Sequence, residues 1–241
     1  MDLFPFKEIR SQQNNLITDI REAVKSKKNI IAHAPTGLGK TAATVAPALE
    51  HALENNLTVF FLTSRNTQHN LVIDTLREIS KKRKIVAVDF IGKKGMCPPL
   101  KYFDAKSINF LEFCSRRRRN GECESYQKTL NKNEYSDAAV LFADELARGE
   151  ILNVEEFVSK CGEKFCAHEL AFLLAQKANM IIADYYHLFS PRVRKLLLKK
   201  TGKDLKKSII IVDEAHNLPD RIRNLLTHQI NSISLTQLLP T

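Results

Sequence analysis

Five short apolar runs mark out the chain: NIIAHA (29–34), TVFFLT (58–63), IVAVDF (85–90), NMIIAD (179–184) and SIIIVD (208–213). A strand with one wet face would alternate polar and apolar residues. These runs are continuous and rich in Val, Ile and Phe, as strands covered on both faces require. Helical patterns over 40–55, 66–81, 167–177 and 214–226 alternate with them. Buried strands interleaved with helices are the signature of a parallel sheet, because each parallel pairing needs a crossover. The fold class is therefore α/β. Pro47 falls inside the first helix, where proline costs about 3 kcal/mol and kinks the axis. The helix is kept because the loop before it requires one.

That loop is APTGLGKT, residues 34–41. Ala34, Pro35, Thr36, Gly37, Leu38, Gly39, Lys40 and Thr41 fit the P-loop pattern, with Ala34 where Gly is commoner. Glycine lets the backbone come close to an anion, and the N–H groups at the helix N-terminus face it. Lys40 is placed to reach the β- and γ-phosphates of a nucleotide, and the Thr41 hydroxyl to bind Mg²⁺. The last run delivers Asp213 and Glu214 at its carboxyl end, the side on which open α/β sheets bind ligands. Asp213 suits the Mg²⁺ shell through a water, and Glu214 is placed to polarise the water attacking the γ-phosphate. Taken singly, the motifs have plainer readings: a Gly-rich turn, and acids at a helix N-terminus. Paired, they describe one nucleotide site.

Between about 92 and 166 the alternation stops, and a loop of that length is improbable inside a compact domain. The stretch reads as an insertion with a helix over 136–150, and it contains all five cysteines and the run Arg116–Arg119. The whole chain carries 37 basic against 27 acidic residues, and residues 91–132 hold ten and four, a local excess of +6. Such a patch suits a polyanion or an acidic membrane surface, and equally a solvated basic face. The N-terminus lacks the basic start and apolar stretch of a secretory signal, and no run approaches the roughly 18 apolar residues of a spanning helix. The expected compartment is a reducing one, cytoplasm or nucleus or nucleoid. Five cysteines there argue against a disulfide framework and leave metal binding or burial.

With these motifs in place, the chain resembles the XPD/DinG group of superfamily 2 helicases over nearly all of its 241 residues. APTGLGKT is similar to motif I, and DEAH (213–216) to motif II, which adds His216 to the nucleotide-binding set. FPFKEIRSQQ (4–13) resembles the N-terminal element in which Arg10 and Gln13 match residues that approach the adenine. FFLTSRNTQ (60–68) looks like motif Ia, whose loop, Thr63, Ser64 and Arg65 here, touches single-stranded DNA. ADYYHLFSP (183–191) is similar to an Asn-Tyr-x-Tyr-Leu segment, with Asp184 for the Asn and His187 for the second Tyr, and brings Tyr185 to the strand. The resemblance also implies a [4Fe–4S] cluster in the insertion, on Cys97, Cys114, Cys123 and Cys166, with Cys161 as spare or rival; Ala167-His168 stands where Pro-Tyr is usual. Zinc is the chemical rival, although paired C-x₂-C knuckles are absent. Buried free thiols are the plain alternative.

The resemblance thus implies a RecA-like P-loop domain in two parts, 1–91 and 167–241, around an iron–sulfur subdomain over 92–166. It implies an ATP-dependent 5′–3′ DNA helicase of repair, using ATP and Mg²⁺. The implied partners are single-stranded DNA and strand–duplex junctions, with no membrane and otherwise a monomer. Arg116, Arg117, Arg118 and Arg119 would border the DNA path. No motifs of the second RecA-like domain occur before Thr241, so half of the ATP site is expected here and a separate chain could supply the other. Two rivals come from other classes: a nucleic-acid-binding module without turnover, and a P-loop NTPase without a nucleic-acid substrate.

Overall fold

The computed structural model describes residues 3–35, 37–64, 66–97, 109–132 and 134–227. Helices α1 (Ser11–Lys25) and α2 (Lys40–Glu54) precede strand β1 (Thr58–Thr63), and α3 (Asn66–Ser80) leads to β2 (Ala87–Phe90). Next come α4 (Phe110–Arg119), α5 (Glu124–Thr129), a hairpin of β3 (Leu130–Asn131) and β4 (Glu134–Tyr135), α6 (Asp137–Arg148) and α7 (Val154–Cys161). Then follow α8 (Ala167–Lys177), β5 (Met180–Asp184), α9 (Tyr185–Phe189), α10 (Pro191–Thr201), β6 (Ser208–Val212) and α11 (Leu218–Leu226). Among the described residues no helix is long and apolar enough to cross a membrane.

The sheet has the order β2-β5-β1-β6, and every pairing is parallel. Four of the five apolar runs supply it. The continuous pattern has the expected cause: Val59 and Phe61 of β1 enter one core with Leu49 of α2 and Leu76 of α3, while Phe60 and Leu62 enter the other with Phe172 of α8. The fifth run is a correction. NIIAHA forms no strand, and Ile31 is fully exposed. A strand persists only where a neighbour takes up its N–H and C=O groups, and among the described residues no ladder reaches 29–34. Pro47 is buried within an α2 that runs unbroken from Lys40 to Glu54.

The insertion is less separate than its sequence suggests. Ala139, Ala143 and Leu146 of α6, Phe157 of α7 and Phe165 share one core with β2, β5 and α8. Each helix is capped by its own sequence: Ser136 accepts from Ala139 N, and Asn153 and Glu156 form a capping box. Arg77 of α3 bonds the Ile151 carbonyl at 2.9 Å and pairs with Glu156, which ties this region to the sheet's helices. What stands outside the core is mainly the part with α4, α5 and the hairpin.

Candidate nucleotide-binding site

Two glycines make the loop before α2 possible: Gly37 and Gly39 have φ of +83° and +82°, a region that glycine enters without steric cost. The N-terminal segment straps this loop. Arg10 Nη1 donates to the Gly37 carbonyl at 2.9 Å, and the Arg10 N–H donates to Gln13 Oε1 at 3.0 Å. Gln13 is buried, and a Cβ on Gly39 would collide with its side-chain amide. Glu50 holds the strap from below, accepting from the Leu3 N–H at 2.7 Å and pairing with Arg21 at 3.0 Å. Leu38 points into the core. Ala34 is half-buried, Pro35 exposed, and Thr36 lies outside the described residues.

Lys40 and Glu214 meet across the loop, with Nζ 3.7 Å from Oε1, while the same ammonium donates to the Ala34 carbonyl at 3.2 Å. His216 Nδ1 is 3.4 Å from the other Glu214 oxygen. Burial, followed by the neighbouring Glu214 charge, pushes the Asp213 carboxyl above its ordinary range. A bound cation would oppose both effects. Thr41 is half-buried at the first turn of α2. Lys40, Asp213, Glu214 and His216 are therefore brought together as the sequence led us to expect.

Register explains how. Thr63 pairs with Asp184, and Leu62 with Val212, so the loops after β5, β1 and β6 stand side by side at the carboxyl edge. Glu214 takes a left-handed backbone, φ +50° and ψ 44°, which costs a residue with a Cβ about 1–2 kcal/mol. Its carbonyl accepts from Asn217 N at 3.0 Å and from the Tyr185 hydroxyl at 3.0 Å. Tyr185 also donates to the Asp213 carbonyl, and the Ser64 hydroxyl bonds the same phenolic oxygen. Tyr185 is only 1% exposed, so the expected contact with a strand is corrected: its side chain faces inward. Thr63 is likewise fully buried and donates to Gln68. Arg65 lies outside the described residues.

The four arginines end helix α4, and its periodicity sorts them. Arg116 and Arg119, three residues apart, are exposed. Arg117 donates to the Glu122 carbonyl, and Arg118 stacks over the Tyr126 ring, 3.8 Å from its centroid, while donating to its hydroxyl. Arg118 also lies 3.8 Å from Glu169, a 1%-exposed carboxylate that Lys200 pairs from α10. Burial alone would raise the Glu169 pKa; bonds from His168 and Lys200 outweigh it and hold it at about 2. Arg118 is thus a structural bolt, a second correction to the expected row of DNA contacts.

All five thiols are free. Cys161 is buried in the core beside Phe157 and Phe165, where burial pushes it up to about 12. Cys97, Cys114, Cys123 and Cys166 are half-buried. Cys123 and Cys166 cap the N-termini of α5 and α8, and Cys166 N bonds Ser125 O at 3.1 Å and Thr129 Oγ1 at 2.8 Å. Among the described residues no three His, Cys, Asp or Glu side chains stand as a metal-holding group.

The DEAD_2 profile matches residues 61–235. The chain belongs to the DEAD_2 family. A DEAD/DEAH box helicase profile also matches residues 10–107 of this DEAD_2 chain. The XPD/RAD3 helicase subunit of general transcription and DNA repair factor IIH from Saccharomyces cerevisiae is 25% identical over 234 residues, 90% of this chain and 30% of that protein. Human regulator of telomere elongation helicase 1 is 24% identical over 89% of this chain and 20% of its own length. The chain thus spans about a third or less of these relatives. Of solved structures, an XPD helicase superposes with a TM-score of 0.58 at 21% identity, covering 91% of this chain and 35% of the other. A truncated XPD gives 0.56 at 20%, covering 92% and 58%. The fold is that of the RecA-like domain of XPD.

One feature of the DEAD_2 chain was not anticipated from its sequence. Residues 191–207 hold eight Lys or Arg and one Asp. Arg192, Lys195 and Lys199 stand exposed along one side of α10, followed by exposed Lys206 and Lys207. The signal is the same local charge excess that marks residues 91–132.

Proposed function

We propose that this chain is the nucleotide-binding part of an ATP-dependent DNA helicase of the XPD type, moving 5′ to 3′ and serving DNA repair. The observation that carries this reading is the meeting of Lys40 and Glu214 beneath a glycine loop strapped by Arg10 and Gln13. ATP would lie on the N-terminus of α2, its phosphates facing backbone N–H groups and Lys40, with Arg10, Gln13 and His216 at its flanks. Thr41 and Asp213 would hold Mg²⁺. When Lys40 turns to the phosphates it leaves Glu214, whose carboxylate is then free to orient water. A second RecA-like domain, from a continuation of the chain or a separate one, would complete the site.

Single-stranded DNA, or its junction with duplex, would pass the loop of Ser64 and Arg65 and the exposed Arg116 and Arg119. Those arginines contact phosphates rather than read bases. We assign a [4Fe–4S] cluster to Cys97, Cys114, Cys123 and Cys166, within the region 92–166. Supporting the choice, these four thiols are half-buried, whereas Cys161 is closed inside the core. When bound, the cluster supplies a cross-link between loops that have little apolar core of their own. Intracellular nucleic acid sets the compartment.

The test is binding of oligothymidylate and of Mg²⁺-nucleotide by the purified chain, with an absorption spectrum and iron analysis. Nucleotide binding, a brown chromophore, and DNA affinity that falls between about 50 and 200 mM salt are expected. Salt-independent or absent DNA binding refutes the nucleic-acid assignment, and a colourless, iron-free protein made under anaerobic, iron-replete conditions refutes the cluster.

A further inference from the structure

Resting on that reading, we infer that Tyr185 is a positioning residue that couples the strand-contact loop after β1 to the carboxylate Glu214. Tyr185 is the first residue after β5, yet its hydroxyl reaches the carbonyls of Asp213 and Glu214, which follow β6. Strand β1 lies between β5 and β6, so the side chain bridges two inter-strand spacings of about 4.8 Å each. It does so at the point where Ser64 leaves β1, and the Ser64 hydroxyl bonds the same oxygen. Three strand ends thus share one phenol.

The direction of the bonds matters. The phenol has one hydrogen, which the two carbonyls share, and the Ser64 hydroxyl donates to its lone pair. A chain of donors therefore runs from the loop, through Tyr185, to the backbone of Asp213 and of Glu214. Glu214 is the link most open to influence, since its left-handed backbone is held by what its carbonyl accepts. Moving Ser64 by a fraction of an ångström redirects the phenol and, with it, the turn that aims the Glu214 carboxylate. Packing leaves the ring no other response: Tyr185 is fully buried and its edge meets Phe189, with centroids 6.5 Å apart. An exposed tyrosine that stacked on bases would need none of this.

Coupling is a ratio, so it separates this role from a merely structural one. We would measure the affinity of the chain for the Mg²⁺ complex of a non-hydrolysable ATP analogue, with and without saturating oligothymidylate. The wild type should show at least about a fivefold difference, within the usual range for linked sites. Tyr185→Phe keeps the ring and its packing but removes the hydroxyl, and should bring the ratio to about one, whatever change each affinity shows alone. Ser64→Ala cuts the same chain at its far end without disturbing the core and should do likewise. A ratio retained in either variant overturns the proposal, as does a wild type that binds both ligands with no coupling. A wild type that binds neither nucleotide nor DNA overturns the functional reading itself, and the proposal with it.

Discussion

Replacing Lys40 with alanine should leave the fold almost untouched and cost most of the nucleotide affinity. In the ligand-free protein Lys40 has two partners, Glu214 at 3.7 Å and the Ala34 carbonyl at 3.2 Å, and the two charged side chains are 33% and 31% exposed. Ion pairs this accessible contribute about 0–1 kcal/mol, because water screens them and ordering both chains costs entropy. The loss of stability should therefore stay below about 1 kcal/mol, or about 2–4 °C in melting temperature at this chain length. Against phosphates, the same ammonium makes hydrogen bonds between charged groups, worth about 1.5–3 kcal/mol. Removing it should weaken nucleotide binding by roughly 10- to 150-fold. Scanning calorimetry and titration with a non-hydrolysable ATP analogue read the two quantities separately. Glu214→Gln supplies the contrast: it frees Lys40 from its competitor, so affinity should hold or rise while hydrolysis in the complete enzyme disappears. An unchanged affinity in Lys40→Ala, or a melting temperature lowered by more than about 6 °C, would refute this account of the loop.

Serine at Cys97, Cys114, Cys123 or Cys166 should remove iron and visible absorption, while Cys161→Ser should keep both; colour lost in the Cys161 variant alone would exchange the fourth ligand. Changing Arg116 and Arg119 together to Gln should flatten the dependence of DNA affinity on salt, by about 0.7 in log–log slope for each phosphate no longer neutralised. Arg118→Gln should instead lower the melting temperature, since it abandons Tyr126 and the buried Glu169; equal effects from both changes would erase the distinction. Burial lowers the pKa of His187, whose neighbours include Asp184, His168 and His69. Its contribution to stability is complete above the unfolded-state value near 6.5 and is lost as pH falls through the folded one. Chemical denaturation between pH 7 and 5 should therefore show falling stability, with a shallower fall in His187→Gln.

The sheet was legible because burial on both faces writes itself as uninterrupted Val, Ile and Phe, and the nucleotide loop because its chemistry admits few residues. NIIAHA carries the same pattern and forms no strand, since a run of residues does not reveal whether its neighbour is present. The side of a helix is also hidden until the helix is recognised. Once Phe110–Arg119 is known to be helical, Arg116 and Arg119 fall on one side and Arg118 turns toward Tyr126. Tyr185 was misread for a different reason. Its role depends on the spacing of three parallel strands, and the residues it bonds lie 28 and 29 positions away.

Strand β6 closes one end of the sheet with Ile210 43% exposed and with a backbone edge that no described strand covers. A row of unanswered N–H and C=O groups flanked by isoleucine is a template for another copy of itself. Native edges are usually guarded by an inward lysine, a proline or a bulge. Ser208–Val212 contains none of these, and the unpaired run 29–34 offers a matching apolar segment. Handled at high concentration, this chain should associate edge to edge, with light scattering that rises on standing. Ile210→Lys should keep it dispersed, because a charge in the middle of that edge makes the pairing of two copies repulsive.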